Sequence, residues 1–265
     1  MNAPRPTMPR SLAPRHRLGR VATLLGAFAL VVCVIVTAGP ASNARAAGTA
    51  NTRTFASEPA RQIVSTALST AAKMGSVEMS SSTTVSGQSY ALVTLSSATQ
   101  GEQTLRVGPA KTVVRVVGGD VFINDTATAI QAQFGVSAPK YANRWIEIPR
   151  ASSYFAHFNS FILLASLMSE VAPGDPLKTT KVMTVDKTSV VGVSGRPNIH
   201  LGLASGSETL YVATRAPHVP VELVASDVVQ GQREVFVITF THWGQRVVVA
   251  KPAASIPISA TNLPK

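Results

Sequence analysis

Two series of short alternating segments constrain the fold of this chain more than any other feature. In each segment β-branched or apolar residues recur at every second position, and turns such as Ser86-Gly87-Gln88 and Gly108-Pro109-Ala110 separate the segments. The predicted strands are 77–85, 89–97, 102–108, 111–117, 121–123 and 145–149 in the first series, and 181–195, 198–204, 208–214, 219–227, 233–241 and 246–250 in the second. Because the turns are short, successive strands should pair antiparallel.

Helical patterns flank both series. Apolar residues recur at helical spacing between Pro59 and Gly75, and Asp125 and Thr126 precede a predicted helix at 127–135. Roughly ten strands in one sheet should twist and curl. The sequence therefore predicts an α+β fold, with a strongly curved antiparallel sheet (a half-barrel) and helices packed on its concave face.

The N-terminus has the organisation of an export signal. Residues 1–20 contain five arginines and no acid, residues 21–38 are uncharged, and Ala44-Arg45-Ala46 matches the small-residue pattern before a cleavage point. Cleavage after Ala46 is one reading, and an uncleaved signal anchor is the other, because the apolar run is long enough to span a bilayer. The predicted organisation is a signal or anchor at 1–46, a linker at 47–57 and one domain at 58–265.

Cys33, the one cysteine of the chain, lies inside the apolar run 21–38. Lipid attachment there is disfavoured, because Val32 is β-branched where a signal peptidase needs a small residue and the apolar run continues past the cysteine. Loss of residues 1–46 would leave no cysteine, and so no disulfide, zinc thiolate or cysteine nucleophile.

The charge of the exported part is modest. Six of the 24 basic residues and none of the 13 acidic residues lie in residues 1–46, which leaves 18 basic and 13 acidic residues and a net charge of +5. Such a surface suits anionic lipid head groups or cell-wall polymers, although an ordinary solvated surface explains it too. There is no basic cluster interleaved with aromatic residues, so nucleic acid is not an expected partner.

The sequence carries no catalytic or metal-binding signature. His157, His200, His218 and His242 are not spaced three or four residues apart, and no G-x-S-x-G motif occurs. We therefore expect no enzyme, no metal and no cofactor.

Residues 153–171 form the most hydrophobic predicted helix after residue 46, with apolar side chains around nearly its whole circumference. A helix of this kind is either covered by protein on all sides or faces a non-protein apolar partner, such as an acyl chain in a cavity. The pattern leaves both possibilities open.

Four stretches resemble a known family: ARQIVSTALSTAAKMGSVEMS, VVRVVGGDVFIN, RWIEIP and FVITFTHWGQRVVVAKP. They are similar to actinobacterial envelope lipoproteins of the LppX/LprAFG type, although Cys33 lacks that family's lipidation motif. The resemblance spans about residues 58–252. It implies a LolA-like fold with a lipid pocket between sheet and helices, Trp145 and Pro149 closing the first half, and Trp243-Gly244 opening the turn into the last strand.

The function implied is that of an exported envelope lipid carrier, with a lipid or glycolipid, the membrane surface and an envelope transporter or another lipoprotein as expected partners. The alternative is an envelope sensor or scaffold that binds another protein on the same fold. The residues expected to line the lipid cavity are Val114, Val116, Ile146, Ile148, Phe155, Phe158, Phe161, Ile162, Ala165, Met168, Leu210, Val212 and Leu223.

Overall fold

The computed structural model of the protein describes residues 55–85, 88–152, 154–159, 162–197, 206–229, 232–261 and 263. Within them lie four helices: α1 Ala60–Met74, α2 Ala127–Phe134, α3 Tyr154–Asn159 and α4 Leu164–Glu170. The strands are β1 Ser76–Val85, β2 Gln88–Ser97, β3 Gly101–Val107, β4 Ala110–Val117, β5 Asp120–Asp125, β6 Trp145–Ile148, β7 Gly174–Thr179, β8 Met183–Val185, β9 Thr188–Arg196, β10 Gly206–Ala213, β11 Pro220–Val229, β12 Gln232–Thr241 and β13 Ile256–Pro257.

All of these strands belong to one open sheet. Its order is β13-β6-β5-β4-β3-β2-β1-β12-β11-β10-β9-β7, and β8 pairs with β9 beside β7. The two predicted series are thus two antiparallel meanders, joined where β1 pairs with β12. The predicted α+β fold, with helices on a curved sheet, is confirmed. One correction applies, because β13 pairs parallel to β6 and the sheet is mixed.

The second series differs from its prediction in three places. The strand expected at 181–195 is a hairpin of β8 and β9, because Asp186 and Lys187 both adopt left-handed backbone angles and reverse the chain. No strand forms at 246–250, since β12 already pairs with β1 and β11 and leaves no free neighbour. The strand expected at 198–204 lies outside the described residues. Strands β7 and β13 were not predicted.

The hydrophobic helix expected at 153–171 is two short helices. Helix α3 ends at Asn159 and α4 begins at Leu164, after Leu163 in extended backbone (φ −84°, ψ 142°). The connection crosses the sheet so closely that a β-carbon at Gly101 would lie 2.7 Å from both Cγ2 and the carbonyl oxygen of Ile162. The broken helix thus allows Ile162 to reach the start of β3. No helix among the described residues is long and apolar enough to cross a membrane.

The helices cover one face of the sheet, and two hydrophobic clusters fill the space between them. The first cluster packs α1 and α4 against β1 and β9–β12. Helix α1 buries Ile63, Val64, Ala67 and Ala71 there and ends at Gly75, whose left-handed φ of 79° permits a backbone cap on Ala71. The second cluster packs α2 and α3 against β4, β5 and β6.

The packed fold begins before the predicted boundary at residue 58. Phe55, assigned to the linker from sequence, is buried in the first cluster, and its ring stacks on that of His218 with centroids 3.8 Å apart. Helix α1 begins at Ala60, after Pro59, and has no side-chain cap. Thr126 does cap α2, because its hydroxyl accepts a hydrogen bond from the backbone N–H of Ala129.

The close approach at Gly101 gives a stability prediction. A Gly101→Ala change places a methyl group against the Ile162 backbone and the Leu95 carbonyl oxygen, neither of which can move as a flexible side chain can. Such overpacking costs about 1–3 kcal/mol. We expect a loss of that size in the free energy of unfolding, measured by urea denaturation.

Gly174→Ala is the matched control, because a β-carbon there would lie 3.5 Å or more from its neighbours. Equal losses in the two variants would contradict the packing of Ile162 on Gly101.

Candidate ligand groove

A groove of about 770 Å³ opens where the β2–β3 and β4–β5 turns meet α3 and the segment after it. This volume lies within the roughly 300–1,000 Å³ of typical ligand sites. The lining residues are Ala98, Thr99, Gln100, Val116, Gly118, Gly119, Arg150, Phe155, Asn159 and Leu163. The groove therefore lies over the first meander, at the strand ends.

One wall of the groove is apolar and continuous with the core. Val116 projects from the helix-covered face of β4 and is buried in the second hydrophobic cluster. Phe155 of α3 and Leu163 after it are partly buried against the same cluster. An apolar ligand on this wall would extend a hydrophobic surface that the protein already holds in place.

The polar residues of the lining are Gln100, Arg150 and Asn159, which we call the polar wall, and hydrogen bonds hold Gln100 in place. The Gln100 amide donates to the Val247 carbonyl oxygen at 2.9 Å and accepts from the Val249 N–H at 3.1 Å. These two bonds hold residues 245–250, which we call the strap, across the strand ends. Arg115 also donates to the Ala250 carbonyl oxygen. The residues expected to form the last strand thus support the groove instead.

Arg150 lies at the Gly118-Gly119 turn of the groove. Its Nε donates to the Gly119 carbonyl oxygen at 3.0 Å, and its guanidinium covers Gly119 so closely that a β-carbon there would collide with it. Gly119 also has a left-handed φ of 85°, so glycine serves both the turn and this contact. Arg150 forms no ion pair with any residue that the structure describes.

Asn159 lines the groove, but its Oδ1 is closed to solvent. This oxygen has no hydrogen-bond partner within the described part of the chain. The groove as a whole matches an amphipathic ligand, with an apolar part on one wall and a polar part on the other.

The residues expected from sequence to line a cavity lie in three settings. Two of them, Val116 and Phe155, line the groove. Most of the others are buried side by side in the clusters: Val114, Ile146, Ile148, Phe158 and Ile162 in the second, and Met168, Leu210, Val212 and Leu223 in the first. Ala165 is exposed on α4. Phe161 lies outside the described residues.

The polar groove residues were not expected from the sequence. Gln100, Arg150 and Asn159 belong to turns and helix ends, where no periodicity identifies a facing side chain. The Gly118-Gly119 pair was interpreted as a turn, and both residues have positive φ there. The glycine pair was the one signal in the sequence for this part of the groove, because a turn without side chains leaves space for a neighbouring residue such as Arg150.

The described histidines do not form a reactive cluster. His242 Nδ1 lies 3.1 Å from Glu78 Oε2, and His218 Nδ1 lies 3.0 Å from the Ala213 carbonyl oxygen. No group of three or more His, Cys, Asp or Glu side chains that could hold a metal ion occurs in the described ranges.

A buried carboxyl lies under α2, at the opposite ends of the strands from the groove. Asp125 is 1% exposed, and Gln133 of α2 donates to the Thr112 hydroxyl oxygen at 2.7 Å beside it. Desolvation by burial raises the pKa of Asp125 from 3.8 to about 7, and a hydrogen bond with Thr112 partly opposes this shift. Gln133 Nε2 also lies 3.5 Å from Asp125 Oδ1, and Asp125 Oδ2 has no hydrogen-bond partner among the described residues.

Comparison with known proteins gives likenesses to solved structures alone. No family model matches the chain, and no curated protein matches it. The chain is similar to LprF from Mycobacterium bovis, at 14% identity and a TM-score of 0.46, over 74% of this chain and 97% of that one.

Two further structures are similar. One is an uncharacterized conserved protein from Thermus thermophilus, at 10% identity and a TM-score of 0.42, over 76% of this chain and 98% of that one. The other is a DUF1329 family protein from Desulfovibrio piger, at 9% identity and a TM-score of 0.30, over 70% of this chain and 92% of that one. The likeness to LprAFG-type proteins drawn from the sequence thus recurs in structure. With TM-scores this low, it bears on neither ligand nor activity.

The buried carboxyl predicts a pH-dependent stability. The folded protein holds a proton on Asp125 between pH 3.8 and about 7, whereas the unfolded chain releases it. Because the folded state then binds more protons, the free energy of unfolding falls as the pH rises through this window. From pH ~5 to ~8 the contribution of Asp125 should fall by about 2–3 kcal/mol.

An Asp125→Asn variant removes the titration and keeps the neutral shape. Both proteins are unfolded in urea at pH values from ~5 to ~8. Over this range the free energy of unfolding of the unchanged protein should fall by about 2–3 kcal/mol more than that of the variant. Parallel pH profiles for the two proteins would show that Asp125 does not titrate in this way.

Proposed function

We propose that this protein is an exported lipid-binding carrier of the cell envelope, which holds an acyl chain of a lipid or glycolipid in the groove. The observation that supports this proposal is the groove itself, whose lining combines apolar Val116, Phe155 and Leu163 with polar Gln100, Arg150 and Asn159. An amphipathic molecule with a fatty tail and a polar head matches both walls.

The apolar wall can hold a tail without specific polar contacts. Each methylene group removed from water contributes ~0.8 kcal/mol, so a few methylenes suffice for measurable binding. The polar wall would then orient the head group toward the open end of the groove. This division of roles is consistent with a site that has few hydrogen-bonding side chains.

The remaining parts of the proposal come from the sequence. The basic and apolar segments at 1–38 support export, with the protein at the outer face of the cytoplasmic membrane, in the cell wall or secreted. We propose no catalytic activity, because no sequence motif supplies a nucleophile and base. Delivery of lipid would require an envelope transporter or another lipoprotein as partner.

A second candidate is a sensor or scaffold that binds another envelope protein. The observation in its favour concerns the thirteen residues expected to line a cavity. Ten of them pack in the two hydrophobic clusters, and of these ten Val116 alone also lines the groove. Side chains packed on one another in this way suit a scaffold, which needs no lipid cavity. Direct measurement of lipid binding separates the two candidates.

An Ala98→Trp variant tests the carrier proposal. Ala98 lines the groove from the exposed β2–β3 turn, so the indole should occupy the space of the ligand without entering the core. Displacing even two methylenes costs about 1.6 kcal/mol, or roughly 15-fold in Kd. We expect at least this loss of affinity for a fluorescent fatty acid, measured by titration.

Ala127→Trp is the control, because Ala127 is exposed at the start of α2 and does not line the groove. It should bind the probe as the unchanged protein does. If the unchanged protein does not bind the fatty acid, or if both variants bind it equally well, the groove is not an acyl site and the scaffold candidate is favoured.

A further inference from the structure

The edge of the sheet at β7 and β8 carries an exposed apolar pair. Val182 is 49% exposed and Met183 is 45% exposed. Two other large apolar residues are exposed in the described part of the chain, Val93 and Val248, and they are far apart in sequence. Exposed apolar side chains that cluster in one place often mark an interaction surface.

Three lysines lie within four residues of this pair along the chain. Lys178 lies in β7, Lys181 directly precedes Val182, and Lys187 lies in the turn after β8; all three are exposed. None of them forms an ion pair with a described residue. We call residues 178–187 the basic edge.

The basic edge is anchored to the sheet. The Thr180 N–H donates to the Gly192 carbonyl oxygen at 2.8 Å, and the Thr180 hydroxyl oxygen accepts from the Gly192 N–H at 3.0 Å. Strand β8 pairs with β9 just beyond this anchor. Lys181, Val182 and Met183 are therefore presented on a fixed backbone.

Acidic groups lie at one end of the basic edge. Asp186 shares the turn with Lys187, and Glu222 lies on β11. Burial raises the pKa of the Glu222 carboxyl, and the nearby charge of Asp186 raises it further. No acidic residue lies between Lys178 and Val185, so this part carries only positive charge around its apolar pair.

We propose that the basic edge is a membrane-contact surface, where Val182 and Met183 enter the head-group region of an anionic bilayer and the three lysines pair with its charge. Lysine near an anionic membrane surface strengthens binding, and shallow apolar side chains add to it. Lysines on an edge strand also deter pairing with other strands, but that role needs no exposed apolar neighbours. The combination favours a lipid surface over a protein strand.

A dye at position 182 of the full-length chain tests this surface directly. Cys33 is the one native cysteine, so Cys33→Ser with Val182→Cys gives a single attachment point for an environment-sensitive dye. Val93→Cys on β2 is the matched control, because Val93 is similarly exposed at 41% and lies outside the basic edge. The local signal separates this contact from membrane binding by residues 21–38.

The probes are vesicles of phosphatidylcholine alone and of equal parts phosphatidylcholine and phosphatidylglycerol. The dye at 182 should shift its emission to the blue with the mixed vesicles only, and the dye at 93 should not. Replacing each lysine with Gln should weaken the response about fivefold, hence roughly 100-fold for all three. Added salt should weaken the response of the dye, because the lysines pair with charged head groups. Met183→Ser should also weaken the response but leave this dependence on salt unchanged.

Three results would overturn the proposal. One is an unchanged dye at 182 on mixed vesicles. Another is an equal shift at 93 and 182, which indicates nonspecific adsorption. The last is a shift at 182 that grows with protein concentration without vesicles, which indicates that a second copy pairs with the edge strand.

Discussion

The pairing of β1 with β12 is the contact on which the rest of the structure depends. It aligns Glu78, Met79 and Ser80 with Thr241, Phe240 and Thr239 and thereby joins the two meanders into one sheet. The joint is extended by two further bonds, from the Gly244 N–H to the Ser76 carbonyl oxygen and from the Ser76 hydroxyl to the Gln245 carbonyl oxygen. The paired residues are far apart in sequence, so this is a non-local contact.

This joint also places the strap, and through it the groove. Residues that follow Trp243 leave the sheet at the turn fixed by Ser76 and cross the strand ends, where Gln100 binds Val247 and Val249. Gln100 in turn forms part of the polar wall. Gln100 is therefore held by residues that follow β12, whereas the apolar lining residues are supported by the core under α3.

Local patterns predicted much of the fold, because alternation and short turns are encoded by neighbouring residues. Strands β1–β5 and β10–β12 lie within a few residues of their predicted positions. Three features were not predicted, and two of them, the strap and the helix break, depend on non-local constraints. The Asp186-Lys187 turn has no glycine to indicate its left-handed backbone, the strap has no free strand to pair with, and the hydrophobic helix breaks because Ile162 must reach Gly101. The groove residues were not predictable for a related reason. Apolar periodicity identifies the residues on the helix-covered face of the sheet, but it does not show which of them other side chains cover.

The central claim is that the protein carries a lipid in its groove. Mass spectrometry of the protein isolated from an envelope, first intact under native conditions and then after organic extraction, tests this claim most directly. The account predicts a mass increase equal to one lipid with acyl chains, lost on extraction. A bare polypeptide with no extractable lipid under native conditions would contradict it.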